Sequence, residues 1–94
     1  MLSRARRLAF VVRGRVQGVA FRACARDEAL RLALTGFVRN RADGAVEGEA
    51  QGESSAVEEF VAWLRQGPPW SRVDELRIDE LAIDDSEQAF VVRR

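Results

Sequence analysis

Ninety-four residues with 47% hydrophobic content suit one small domain built on a single modest core. Fifteen basic and fifteen acidic residues balance, histidine is absent, and Cys24 is the one cysteine. An intrachain disulfide is therefore excluded, no ordinary zinc-ligand set exists, and a reducing, cytoplasmic setting is expected.

The chain begins with a basic stretch, Met1 to Arg7, expected to be frayed over residues 1–6. The apolar run behind it, Leu8 to Val12, stops at Arg13. That is short for a signal-peptide core and too short to span a membrane. Leu8 to Arg13 reads as a first strand, with Leu8, Phe10 and Val12 on one face. The stretch Gly14-Arg15-Val16-Gln17-Gly18-Val19-Ala20-Phe21-Arg22 follows, and a segment of helical spacing begins at its end.

A strand that breaks at glycine and turns into a helix presents backbone N–H groups at the positive end of the helix dipole. Such an end is a ready anion site, and Arg22 in the first turn can offer paired donors to a phosphate. On spacing alone, Gly14 and Gly18 read equally well as turn glycines, and Arg22 as a solvated surface residue. A Walker A loop is excluded because the chain has no lysine, and the dinucleotide fingerprint is absent.

The helix is expected from Phe21 to about Leu34. Phe21, Ala25, Ala29 and Leu32 form its stripe, Cys24 lies beside it, and Thr35-Gly36 ends it. Asp27 and Glu28 face solvent on this reading. Gly36–Arg41 and Ala45–Gln51 flank Asp43-Gly44 as a hairpin. Asn40, taken alone, reads as a hairpin residue bonded to its own backbone. Val46, Gly48 and Ala50 make the third strand's close-packing face, opposite Glu47, Glu49 and Gln51.

Ser55 and Glu58 suggest a capping box for the second helix, with Ser54 as a competing cap. Val57, Phe60, Val61 and Leu64 are its buried stripe, and Gly67-Pro68-Pro69 stops it, with Trp70 packed over the exit. Val73 to Ile83 is a fourth strand of imperfect alternation, with Leu76 and Ile78 on one parity and Val73, Leu81 and Ile83 on the other, which predicts a bulge or break. Asp84 to Glu87 reads as a solvated loop, and Phe90 and Val92 mark a short final strand.

The element order predicts an α+β, ferredoxin-like β-α-β-β-α-β sandwich: an antiparallel sheet, two helices on one face and a short extra C-terminal strand. Charge divides along the chain. Residues 1–41 hold ten arginines and two acids; residues 42–94 hold five arginines and thirteen acids. The basic half carries the candidate anion site.

Gly14 to Arg22 closely resembles the acylphosphatase signature G-x-V-Q-G-V-x-F-R. A second pattern of that family follows in Gly36-Phe37-Val38-Arg39-Asn40, Asp43-Gly44-Ala45-Val46, Glu47-Gly48 and Gly52. Both occur in order, and the resemblance covers nearly the whole chain, as a single domain over residues 1–94. It implies the same sandwich fold and hydrolysis of an acyl phosphate to a carboxylate and inorganic phosphate, without cofactor, metal or covalent intermediate. Backbone N–H groups from Val16, Gln17, Gly18, Val19, Ala20 and Phe21 would cradle the phosphate, Arg22 would pair with it, and Asn40 would hold the attacking water. Arg26, a turn further along the helix, is expected to matter little. The implied partners are a small acyl phosphate and inorganic phosphate as product and inhibitor, with a monomer and neither nucleic acid nor membrane involved.

Cys24 does not fit a cysteine-phosphatase loop, which needs an arginine six positions on, where Leu30 stands. An RNA-recognition domain shares the element order but stacks bases on aromatics, and Ala45–Gln51 has none. A regulatory domain on the acylphosphatase scaffold is the remaining alternative. The chain ends soon after the fold does, which favours the stand-alone enzyme.

Overall fold

The computed structural model describes residues 4–94. Seven elements follow one another: β1 (Ala5–Arg15), α1 (Phe21–Arg31), β2 (Thr35–Asn40), β3 (Val46–Glu53), α2 (Ser54–Gln66), β4 (Arg72–Leu81) and β5 (Phe90–Arg93). The sheet order is β4-β1-β3-β2-β5, so β1 and β2 run parallel on either side of β3, and their C-terminal ends share one edge. Val12 and Asn40 both lie level with Val46. The expected sandwich is present, its short C-terminal strand included; the difference is that β5 joins β2 in parallel, which makes the sheet mixed and not antiparallel.

Both helices lie on the sheet face formed by Leu8, Phe10, Val12, Val38, Val46 and Ala50, all buried. Phe60 of α2 is the centre of that core, edge-on to Phe10 and Phe90 and stacked on Trp63. Alternation explains the arrangement, since every second residue of a strand points to the same side. Gly48 is the close-packing position: a Cβ there would stand 2.6 Å from Phe10 Cζ and 2.1 Å from the Phe37 carbonyl oxygen.

Several boundaries differ from those the residues suggest. Met1 to Ser3 lie outside the described residues, but Ala5 and Arg6 are not frayed: they pair with Glu53 and Gly52, and Arg6 reaches Glu80. The first helix closes at Arg31, three residues early. Leu34 N–H donates to Ala29 O at 2.9 Å and Ala33 N–H to Leu30 O at 3.1 Å, a paired closure in which Ala33 takes φ 58. Left-handed backbone is uphill for alanine and free for glycine. Ala33→Gly is expected to raise stability by about 0.5–1 kcal/mol, measured as a shift in the urea midpoint at constant m-value.

The capping box does not form. Helix α2 starts at Ser54 with Glu53 at the cap and no side-chain cap bond; the Ser54 N–H instead donates to Arg4 O at 2.7 Å. The predicted bulge is real and sits at Asp74, where the register passes from Gly14↔Val73 to Arg13↔Glu75. The extra residue brings Val73, Leu76 and Ile78 to one side, each half-buried against the core, and leaves Leu81 and Ile83 exposed.

The segment from Asp84 to Glu87 is not simply solvated. It crosses the other sheet face, where Gln51 and Asp84 exchange two hydrogen bonds. Glu87 there joins Glu49 and Gln51 around the guanidinium of Arg7, which is only 5% exposed. Hydrogen bonding to Glu87 and Glu49 holds the Arg7 pKa above its ordinary value. No helix among the described residues is long and apolar enough to cross a membrane.

Candidate active site

β1 stays paired with β4 through Gly14 and Arg15, beyond the register shift at Arg13/Gly14, and the chain then leaves the sheet as a loop. Gly14 at φ 134 permits this; a Cβ on it would lie 2.1 Å from the Arg72 carbonyl oxygen. The loop is anchored below by Val16, which is buried, and turns at Gly18, whose φ is 73 and whose open side faces no atom within 4 Å. It enters α1 through Ala20, at φ 59 and ψ 24, without a side-chain cap. The N–H groups of the first helical turn are thus left to whatever lies in front of them.

A cavity of about 250 Å³ lies there, lined by Val16, Gly18, Ala20, Phe21, Arg22 and, from across the sheet, Asn40. A water in the liquid takes about 30 Å³, so the space admits a phosphoryl group, a water and a short acyl group. Arg26 lines the same cavity one turn further out along the helix. Arg22 has no carboxylate partner among the described residues; its Nη1 donates to the Arg93 carbonyl at 3.0 Å. Its charge is left for an anion. By contrast Arg39 and Arg41, on either side of Asn40, are paired with Glu47 and Asp43.

Asn40 ends β2 with its side chain on the helical side of the sheet. Its Oδ1 is buried and has no hydrogen-bond partner, an expensive condition for a carboxamide. The hairpin role that Asn40 alone suggested belongs to Asp43, whose Oδ1 accepts from Ala45 N–H at 3.1 Å. That bond, and the guanidinium groups of Arg13 and Arg41, hold the Asp43 carboxyl below its usual pKa.

Of the residues singled out from the sequence, Gln17 and Val19 direct their side chains away from the cavity. Gln17 Nε2 donates to the carbonyls of Arg41 at 2.8 Å and Ala45 at 2.9 Å, tying the loop to the hairpin that carries Asn40. Val19 packs against the core.

The acylphosphatase family profile matches residues 8–92. This chain belongs to the acylphosphatase family. An acylphosphatase of Anaeromyxobacter sp. (strain Fw109-5) is 49% identical over 83 residues, covering 88% of this chain and 89% of that protein. One from Aeropyrum pernix is 53% identical over 88 residues, covering 93% of this chain and 87% of that one. In structure the chain is similar to an acylphosphatase from Coxiella burnetii, with a TM-score of 0.90, 37% identity and coverage of 95% and 93%.

Within this acylphosphatase fold, Cys24 lies half-buried on α1 beside Trp63 and Pro68, outside the cavity. No group of three or more potential metal-ligating side chains occurs among the described residues. Three contacts to the loop and Arg22 escaped the sequence reading: the Gln17 carboxamide, the Arg93 carbonyl and the Trp70 indole. Each joins residues far apart in the chain, and no local pattern announces them.

Proposed function

We propose that the chain hydrolyses acyl phosphates by direct attack of a water held by Asn40 on a phosphoryl group held by the loop and Arg22. The observation that carries this is the buried Oδ1 of Asn40, which has no hydrogen-bond partner, on a residue that lines the same cavity as the uncapped helix and as Arg22, which has no carboxylate partner among the described residues. An orphan acceptor calls for an O–H donor. A water that donates one proton to Oδ1 keeps its lone pairs for phosphorus.

Backbone N–H groups from Val16 to Phe21 and the guanidinium of Arg22 take up the three phosphoryl oxygens as charge builds on them. The water oxygen bonds to phosphorus while the bond from phosphorus to the acyl oxygen breaks. Its electron pair leaves with the carboxylate, a weak base that needs no proton. Because the transition state is loose, positioning and charge stabilisation supply most of the rate. An amide cannot act as a base, so the water's proton passes to a phosphoryl oxygen and leaves in the product phosphate. The chain acts as a cytoplasmic monomer on this reading.

Acetyl phosphate turnover tests the reading. Turnover is expected to be unchanged by excess chelator and competitively inhibited by inorganic phosphate. Loss of activity in chelator with recovery on adding a divalent ion would overturn the metal-free route. Phosphate binding without turnover would point to the regulatory alternative.

A further inference from the structure

Trp70 makes a contact that the hydrolytic reading does not use. Its indole Nε1 donates to the Val19 carbonyl at 2.6 Å, although the residue is 59% exposed. A stiff turn presents it. The Pro68 carbonyl accepts from both the Ser71 N–H at 2.9 Å and the Ser71 hydroxyl at 2.7 Å, with Pro69 and Trp70 at the two central positions. Proline at the first of these has its φ already set for such a turn.

The carbonyl it holds belongs to the Val19–Ala20 peptide. Carbonyl and N–H of a trans peptide point in opposite directions. Trp70 itself does not line the cavity, whereas Ala20 does. An indole that holds the Val19 oxygen on the outer side therefore turns the Ala20 N–H toward the inner one. Ala20 is also strained, since left-handed backbone is uphill for alanine. Rotating this one peptide plane would change ψ of Val19 and φ of Ala20 together. It would relieve the strain and swing the N–H out of the cavity.

We propose that Trp70 is a positioning residue for the phosphate loop: its indole locks the Val19–Ala20 peptide and keeps the Ala20 N–H aimed at the substrate phosphate. The proposal rests on the hydrolytic reading for its effect on turnover, but not for its effect on phosphate binding.

The two tryptophans give two indole signals in a proton–nitrogen correlation spectrum, and Trp70→Phe assigns them. The Trp70 indole proton is expected to exchange slowly and to shift saturably with inorganic phosphate. Trp70→Phe keeps a ring and removes the donor. It is expected to weaken phosphate binding and lower kcat/KM for acetyl phosphate by about three- to tenfold, with the fold intact by thermal melt. In an Ala20→Gly background, where positive φ is unstrained, the same substitution is expected to change either quantity by less than about twofold. A fast-exchanging indole indifferent to phosphate, or equal losses in both backgrounds, overturns the proposal. A saturable indole shift in a parent protein that turns over no acyl phosphate supports the tether and sinks the hydrolytic reading instead.

Discussion

Arg22→Lys is expected to lower kcat/KM for acetyl phosphate by at least about 100-fold, or roughly 3 kcal/mol of transition-state stabilisation, although the charge is kept. The reason lies in how the guanidinium is held. One of its nitrogens already donates to the Arg93 carbonyl at the end of β5. That contact orients the planar fork and leaves its other N–H groups for two phosphoryl oxygens at once. A lysine ammonium is a single point on a flexible stem. If it meets the Arg93 carbonyl it offers the phosphate one donor, and if it turns to the phosphate nothing fixes its place.

Arg26→Ala provides the contrast. Arg26 lines the outer part of the cavity, and its nearest carboxylate is the neighbouring Asp27 at 3.5 Å. Its loss is expected to raise KM by a few fold and leave kcat near the parent value, as for a diffuse, screened attraction. Steady-state kinetics for both variants at two ionic strengths, with melting curves alongside, separate the two roles. Near-parent turnover in Arg22→Lys would reduce the residue to a diffuse charge as well.

The architecture was legible because alternation and helical spacing survive in the strands and helices that bury one side. Leu8, Phe10 and Val12 face the core as their spacing requires, and so do Val57, Phe60 and Leu64. What escaped depends on tertiary contact. The broken parity of β4 announced a bulge, but its place at Asp74 is set by Gly14 across the ladder. The helix end went to Ala33 rather than to Thr35-Gly36, since Gly36 is needed in β2 opposite Ala50. Glu87, in a stretch of acids that looks solvated, is drawn down by the buried Arg7. In the site, helix position and charge suggested an anion at Arg22, whereas Asn40 was recognisable only through family resemblance. The Gln17 and Trp70 bonds cross 24 and 51 residues respectively, beyond any local rule.

Asn40→Ala is expected to separate binding from chemistry. If its Oδ1 holds the attacking water while the loop and Arg22 hold phosphate, the contact matters mainly as the transition state forms. Turnover should fall roughly 100- to 1000-fold, about 3–4 kcal/mol, the size seen on removing one preorganised polar group. Inorganic phosphate affinity, measured by calorimetry, should stay within a few fold. Stability points the other way from most truncations at a buried position. The parent protein buries an acceptor that no protein group satisfies, and removing it also removes that desolvation penalty. The variant should therefore melt close to the parent temperature, which an ordinary structural asparagine would not allow. Asn40→Asp is expected to be at least as damaging to turnover, because it places a carboxylate beside a dianionic substrate, and to weaken phosphate binding as well. Parent-like turnover in a folded Asn40→Ala protein would assign the water to another group. A large loss of stability with a proportionate loss of phosphate binding would make Asn40 a structural residue and remove it from the mechanism.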